Sequence, residues 1–176
     1  MSEPKLTGCT EFERMLNFPI AIIAATANRV VQGTRRFHSL AHLIAPHVPG
    51  LSLSFVIHRH FPYSDQLAIA LAELLDRGIL DVKQAAIGPH GEQDTLYTLA
   101  PPTATSSIIL PQSCSTIVRL LDCSSTIVLE VASTLAFFLA RGNQWDQAVS
   151  QAMYLKPVKA IPPIISQAKT LLQFFP

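Results

Sequence analysis

Apolar residues recur along this chain with two spacings, one of three to four residues and one of two, and the changes between them mark its elements. Thr10 stands before Glu11, Phe12, Glu13, Met15 and Leu16, the arrangement of a capped helix start with carboxylates in the first turn. Pro19 then either kinks one helix or opens a second, and the dense apolar run from Ile20 to Val31 predicts helix up to a stop at Gly33. Thr34 is the expected cap of the next helix, whose Phe37, Leu40, Ala41 and Ile44 share one face until Pro46, Pro49 and Gly50 break it. From Leu51 the spacing changes to two. Leu51, Leu53, Phe55 and Ile57 alternate with Ser52, Ser54, Val56 and His58, which predicts a strand.

The stretch from Phe55 to Leu80 organises the rest. Phe61-Pro62-Tyr63 turns the chain, Ser64 caps a helix with Asp65 beside it, and Leu67, Ala70, Leu71, Leu74 and Leu75 form its apolar stripe up to a left-handed stop at Gly78. Ile79, Leu80 and Val82 open a strand, and Thr95 to Leu99 returns as a second after a polar tip at Gly88, Pro89, His90 and Gly91. Two strands around a polar tip directly after a helix have the pattern of a wing. The Pro/Ser/Thr connector that begins at Ala100 is the clearest boundary, and beyond it helices are expected over Cys114–Leu121, Ser125–Ala140, Trp145–Tyr154 and Ile164–Phe174. The expected class is α+β and mostly helical. A winged-helix-like core over residues 1–100 with a small β-sheet carries a C-terminal helical layer over 101–176, the two forming a single compact domain.

Composition adjusts this picture. Apolar residues make up 49% of the chain and charged ones 14%, which suggests a large interface with a partner or a second copy rather than a membrane span. The run from Phe18 is too short to cross a bilayer, and the run from Thr126 carries Glu130 and meets Arg141, so it reads as a buried helix. A net charge of +1 argues against a strongly electrostatic nucleic-acid binder. The first residues show no apolar signal-peptide region, and Cys9, Cys114 and Cys123 form no paired framework, which points to a reducing cytoplasm.

The run FPYSDQLAIALAELLDRGIL resembles a signature of Tyr-Gly-Pro-Tyr-Ser followed by spaced leucines and a glycine. That signature belongs to a large prokaryotic group that includes the Panacea (SocA-like) antitoxin domain and YwgA-like proteins. LYTL at Leu96–Leu99 is similar to their wing strand, and TRRFHSLAHLIA stands where they carry a helix. LEVASTLAFFLARGNQWDQAVSQAMYLKP with IISQAKTLL resembles their C-terminal pattern, so the likeness spans roughly residues 10–174. Phe61 replaces the family glycine, and His38-Ser39 replaces a Gln-Lys pair. The resemblance implies a winged helix packed against a C-terminal helical layer. It also implies action through protein contacts, as in antitoxins and proteolytic adaptors, rather than catalysis.

The chemistry-bearing residues are weighed beside this. Arg29, Arg35, Arg36, His38 and His42 lie on adjacent predicted helices, with His58, Arg59 and His60 on the strand, and could form a basic patch for phosphates. Ordinary solvated surface is the competing reading. The Ser64–Arg77 helix offers Gln66, Glu73, Asp76 and Arg77, and its two carboxylates disfavour entry into a DNA groove. His38 and His42 face one way on a helix, and His58 and His60 one way on a strand. Neither pair has a cysteine or carboxylate at ligand spacing, so no metal is expected. The Ser-Cys-Ser and Cys-Ser-Ser runs at Cys114 and Cys123 lack a glycine elbow, so no catalytic residue and no cofactor are assigned. The candidate binding residues are Arg35, Arg36, His38, His58, Arg59, His60, Tyr63, Ser64, Gln66 and Arg77. The leading expectation is a non-enzymatic, cytoplasmic protein-interaction module with a protein partner and the option of a homodimer, with no membrane association; Phe137, Phe138, Phe174 and Phe175 are candidates for the core or for a dimer seam. The second reading is a winged-helix DNA-binding transcriptional regulator.

Overall fold

A computed structural model describes residues 10–87, 92–101 and 112–175. The first helix, α1 (Glu11–Ala25), starts where Thr10 and Glu13 satisfy each other's backbone N–H groups in a capping box. It runs without interruption through Pro19, so the two-helix alternative does not hold.

The expected continuation of helix to Val31 is corrected. The Thr26 hydroxyl donates to the Ile23 carbonyl and accepts the Val30 N–H, and Arg29 takes a left-handed φ of 54°, which reverses the chain. The β-branched pair Val30-Val31 then enters a strand, β1 (Val30–Gln32). Gly33 is not a helix stop but the residue before the next helix, α2 (Thr34–Ile44), and Thr34 lies inside that helix rather than capping it. The φ of Gly33 is 91°, and a Cβ there would meet the Asp94 carboxylate at 3.0 Å. The positive φ favours glycine, and a side chain there would also crowd the Asp94 carboxylate. A short 3₁₀ turn (Ala45–His47) follows.

The strand expected from Leu51 is also shorter than its alternation. Residues 51–58 alternate between half-buried and exposed as predicted, yet only β2 (Val56–His58) is a strand, paired with β3 (Phe61–Tyr63). The backbone before it bonds to side chains instead. Ser54 N–H donates to Gln66 Oε1 at 2.7 Å, and the Phe55 carbonyl accepts from Arg141 at 3.2 Å. Arg59 and His60, both with positive φ, make the tight turn between the strands.

Helix α3 (Asp65–Asp76) is capped by Ser64, whose hydroxyl accepts the Leu67 N–H, and Gly78 ends it at φ 66°. The strands β4 (Leu80–Ile87) and β5 (Glu92–Leu99) form the expected hairpin. Its predicted polar tip at Gly88–Gly91 lies outside the described residues. β1 adds to β5 in antiparallel register, giving a sheet ordered β1-β5-β4.

After the connector come α4 (Gln112–Asp122), α5 (Thr126–Leu139), α6 (Trp145–Leu155) and α7 (Pro162–Leu172). α5 is the central one. Val128, Leu129, Val131, Ala132 and Leu135 are buried, and it packs on α2, β3, α6 and α7. One continuous apolar cluster joins Ile22, Phe37, Leu40, Leu67 and Leu74 of the first half to Leu121, Leu129, Leu135 and Leu171 of the second. The architecture is therefore α+β, with a predominance of helix. No helix among the described residues is long and apolar enough to cross a membrane.

Candidate functional site

The ten candidate binding residues do not form one patch. They divide into a buried group around the turn before α3, a separately buried Arg36, and a scattered group that is exposed or half-buried.

The buried group centres on His38, which is fully buried on α2. Ser64 N–H donates to His38 Nδ1 at 3.2 Å, while the Tyr63 ring stacks on the imidazole with centroids 4.2 Å apart. An accepting Nδ1 places the single proton of the neutral ring on Nε2, and that atom has no hydrogen-bond partner among the described residues. Burial pulls the pKa of His38 down to about 4, so the ring is neutral at physiological pH. The Pro-Tyr-Ser turn is thus tied to α2 by a stacked and hydrogen-bonded histidine, and Ser64 serves both His38 and the start of α3.

Arg36 is buried as well. Its guanidinium donates to the Ser124 carbonyl at 2.8 Å, the Asp122 carbonyl at 2.7 Å and the Asp122 carboxylate at 3.2 Å. Every strong bond it makes is to the turn between α4 and α5, and it is a clamp inside the molecule.

The other candidates are exposed or half-buried. Arg35 is exposed on the first turn of α2, and its charge helps lower the pKa of Lys156. His58 is exposed with its ring 5.2 Å from Tyr63, beside Arg59 and His60 in the hairpin turn. Gln66 is turned toward Ser54, and Arg77 pairs with Glu73 one helical turn back at 2.7 Å. The face that α3 leaves in solvent consists of Asp65, Ile69, Ala72, Leu75 and Asp76, with Ile69 58% and Leu75 45% exposed. That face is apolar at its centre and acidic at both ends.

Sequence reasoning missed two charged arrangements. Glu130 on α5 and Lys156 after α6 are both buried, their charged groups 3.3 Å apart, and Lys159 reaches the same Glu130 Oε2 at 2.8 Å. Burial lowers the pKa of Lys156, and the charge and hydrogen bond of the Glu130 carboxylate oppose that shift. A lone glutamate inside the apolar run from Thr126 demanded a buried cation, and the lysine of Leu-Lys-Pro was the signal.

The second arrangement lies where α2 meets the end of α5. Arg141 rests on the Phe137 ring at 3.4 Å and donates to the carbonyls of Phe137 and Phe55. His42 bonds to the buried Ser133 hydroxyl at 3.1 Å and meets Phe55 edge-on. Burial and then the Arg141 charge pull its pKa down to about 4.

The phenylalanines expected in the core or at a dimer seam divide, and three of the four take the core alternative. Phe137 is buried, Phe138 and Phe175 pack against the core, and Phe174 is 55% exposed. No cluster of three or more metal-ligating side chains occurs among the described residues. Comparison of the chain with protein-family models, curated proteins and solved structures found no match.

Proposed function

We propose that this protein is a non-enzymatic interaction module that binds a protein partner through the exposed face of α3, in the manner of an antitoxin or adaptor. The observation that carries the reading is the make-up of that face. Ile69, Ala72 and Leu75 are solvent-facing and flanked by Asp65 and Asp76. An apolar centre within a charged rim is the form of a protein contact.

We read the core as a winged helix. The element order α1-β1-α2-α3-β4-β5 and the sheet order β1-β5-β4 support this, with the β2-β3 hairpin inserted before α3. In a DNA-reading winged helix the helix before the hairpin brings Arg, Lys, Asn or Gln to base edges. Here the outward positions of α3 hold two aspartates and apolar side chains, which a phosphate-lined groove repels. Arg36 is committed internally and Arg77 to Glu73. We place the protein in the cytoplasm, in keeping with a sequence whose three cysteines show no paired spacing.

The test is capture from extracts of the native host at moderate salt with nuclease present, comparing the wild-type chain with Ile69→Asp and Leu75→Asp. The proposal expects a protein recovered in near-equal amount that both variants lose while remaining folded by circular dichroism. Recovery of nucleic acid alone, or of a protein that both variants retain, would sink it.

A further inference from the structure

The Arg141 arrangement serves a purpose beyond the packing of α5. His42 and Arg141 line a cleft of about 340 Å³ with Ala45, Leu51, Leu53 and Phe55. This is at the small end of the ~300–1,000 Å³ range of ligand pockets. We propose that the cleft binds a small monocarboxylic acid with an apolar body, its carboxylate on Arg141 and its body against Leu51, Leu53 and Phe55.

Three observations carry this. First, the guanidinium is held in place before any ligand arrives. Its Nη1 donates to the Phe137 carbonyl at 3.3 Å and its Nη2 to the Phe55 carbonyl at 3.2 Å, with the Phe137 ring beneath. A guanidinium carries five N–H donors, and two are used in these bonds, so three remain to grip an anion.

Second, its charge is not neutralised by the protein. Among the described residues the carboxylates in ion pairs are Glu73, Asp122 and Glu130, whose partners are Arg77, Arg36, Lys156 and Lys159, and none lies within 4.0 Å of Arg141. Backbone carbonyls and an aromatic face orient a cation without cancelling its charge.

Third, the remaining walls select among anions. The other titratable group in the cleft, His42, is neutral at physiological pH, so a single positive charge faces the ligand. Leu51, Leu53, Phe55 and Ala45 offer apolar surface beside a larger polar share of the lining that includes Ser52. A monoanion with a small hydrocarbon body matches one cation beside a limited apolar surface. Inorganic phosphate would bring more charge than Arg141 neutralises and no apolar surface to bury. The cleft shares no lining residue with the exposed α3 face, and the inference does not rest on the protein-binding reading.

The test uses the full chain at neutral pH, titrated with benzoate and butyrate and followed by calorimetry and the His42 imidazole resonances. Benzyl alcohol and inorganic phosphate serve as controls. Saturable benzoate or butyrate binding is expected in about the millimolar range or tighter. Benzyl alcohol, which lacks the charge, and phosphate, which lacks the apolar body, should each bind at least about tenfold more weakly, the factor that 1.4 kcal/mol supplies. Arg141→Gln should weaken carboxylate binding by a similar factor.

Because Arg141 also tethers two carbonyls, Leu53→Trp provides a second variant that fills the cleft and leaves the guanidinium in place. It should abolish binding too. The carboxylate should also raise the pKa of His42, which now faces a bare cation. No saturable carboxylate binding by about 10 mM, phosphate binding as tight as benzoate, or wild-type affinity in Leu53→Trp would each overturn the proposal.

Discussion

A histidine that is buried and neutral makes the protein sensitive to mild acid, and His38 allows the size of that effect to be worked out. Its pKa falls from 6.5 to about 4 because burial penalises the charged ring. The Ser64 N–H facing Nδ1 also leaves that nitrogen no room for a second proton. Between these two values the unfolded chain binds a proton that the folded chain refuses. Stability therefore falls as pH drops through 6.5 and levels off below about 4. At pH 5 the loss relative to pH 8 is about 2 kcal/mol from this one ring, against a typical total of roughly 5–15 kcal/mol. His42, shifted to about 4 as well, acts in the same direction.

The cleanest perturbation is His38→Asn. The Asn side-chain oxygen can take over the acceptor role of Nδ1 toward Ser64, and the amide does not titrate. The variant should be less stable at pH 8 by about 2–4 kcal/mol, since it loses a buried ring stacked on Tyr63. Its loss between pH 8 and pH 5 should be smaller than that of the wild type by about 2 kcal/mol. Urea denaturation at a series of pH values, with the slope checked for constancy, measures both quantities. If the two stability curves run parallel from pH 8 to pH 5, His38 is not buried neutral in the folded protein and the reasoning fails.

Other perturbations have defined outcomes. Glu130→Gln strands two lysine ammonium groups, one of them 3% exposed, and should cost about 3–5 kcal/mol in urea denaturation. An unchanged midpoint would mean that Lys156 escapes to water. Arg36→Lys keeps the charge but cannot span both the Asp122 and Ser124 carbonyls, and should lower stability by about 2 kcal/mol. Gly33→Ala places a side chain at φ 91° against the Asp94 carboxylate and should cost roughly 1–3 kcal/mol. Gly78→Ala, at φ 66° where a Cβ would meet nothing within 4 Å, should cost only its own backbone strain, about 1 kcal/mol. Ser64→Ala removes the α3 cap and should lower the urea midpoint by the equivalent of about 1 kcal/mol.

The parts of the fold that were legible in the sequence are those where local chemistry and burial agree. The α3 segment carries a cap, a leucine stripe and a glycine stop, and these appear where expected except at Leu75, which faces solvent instead of joining the buried stripe. The α5 helix was equally readable from Ser125 to Gly142. The missed elements are those decided by distant partners. Val30 and Val31 continue an apolar run that reads as helix, and they become a strand because β5, more than sixty residues away, offers a free edge. Leu51 to Phe55 alternate like a strand, but their backbone groups are taken by Gln66 and Arg141. The candidate site was harder still, because residue type alone does not separate Arg36, locked inside, from Arg35 beside it in solvent.

The Arg36 clamp has a consequence for how the chain is made. Its acceptors, Asp122 and Ser124, lie more than eighty residues later, past the connector that composition marks as a boundary. During synthesis the amino-terminal hundred residues leave the ribosome with a cation destined for burial and nothing yet to receive it. Phe37 and Leu40 likewise await the α5 residues that complete their cluster. The connector is therefore a boundary of composition and not of folding. A fragment ending near Ala100 should stay loosely packed and prone to protease until the remaining helices are supplied, as a separate peptide or as the rest of the chain.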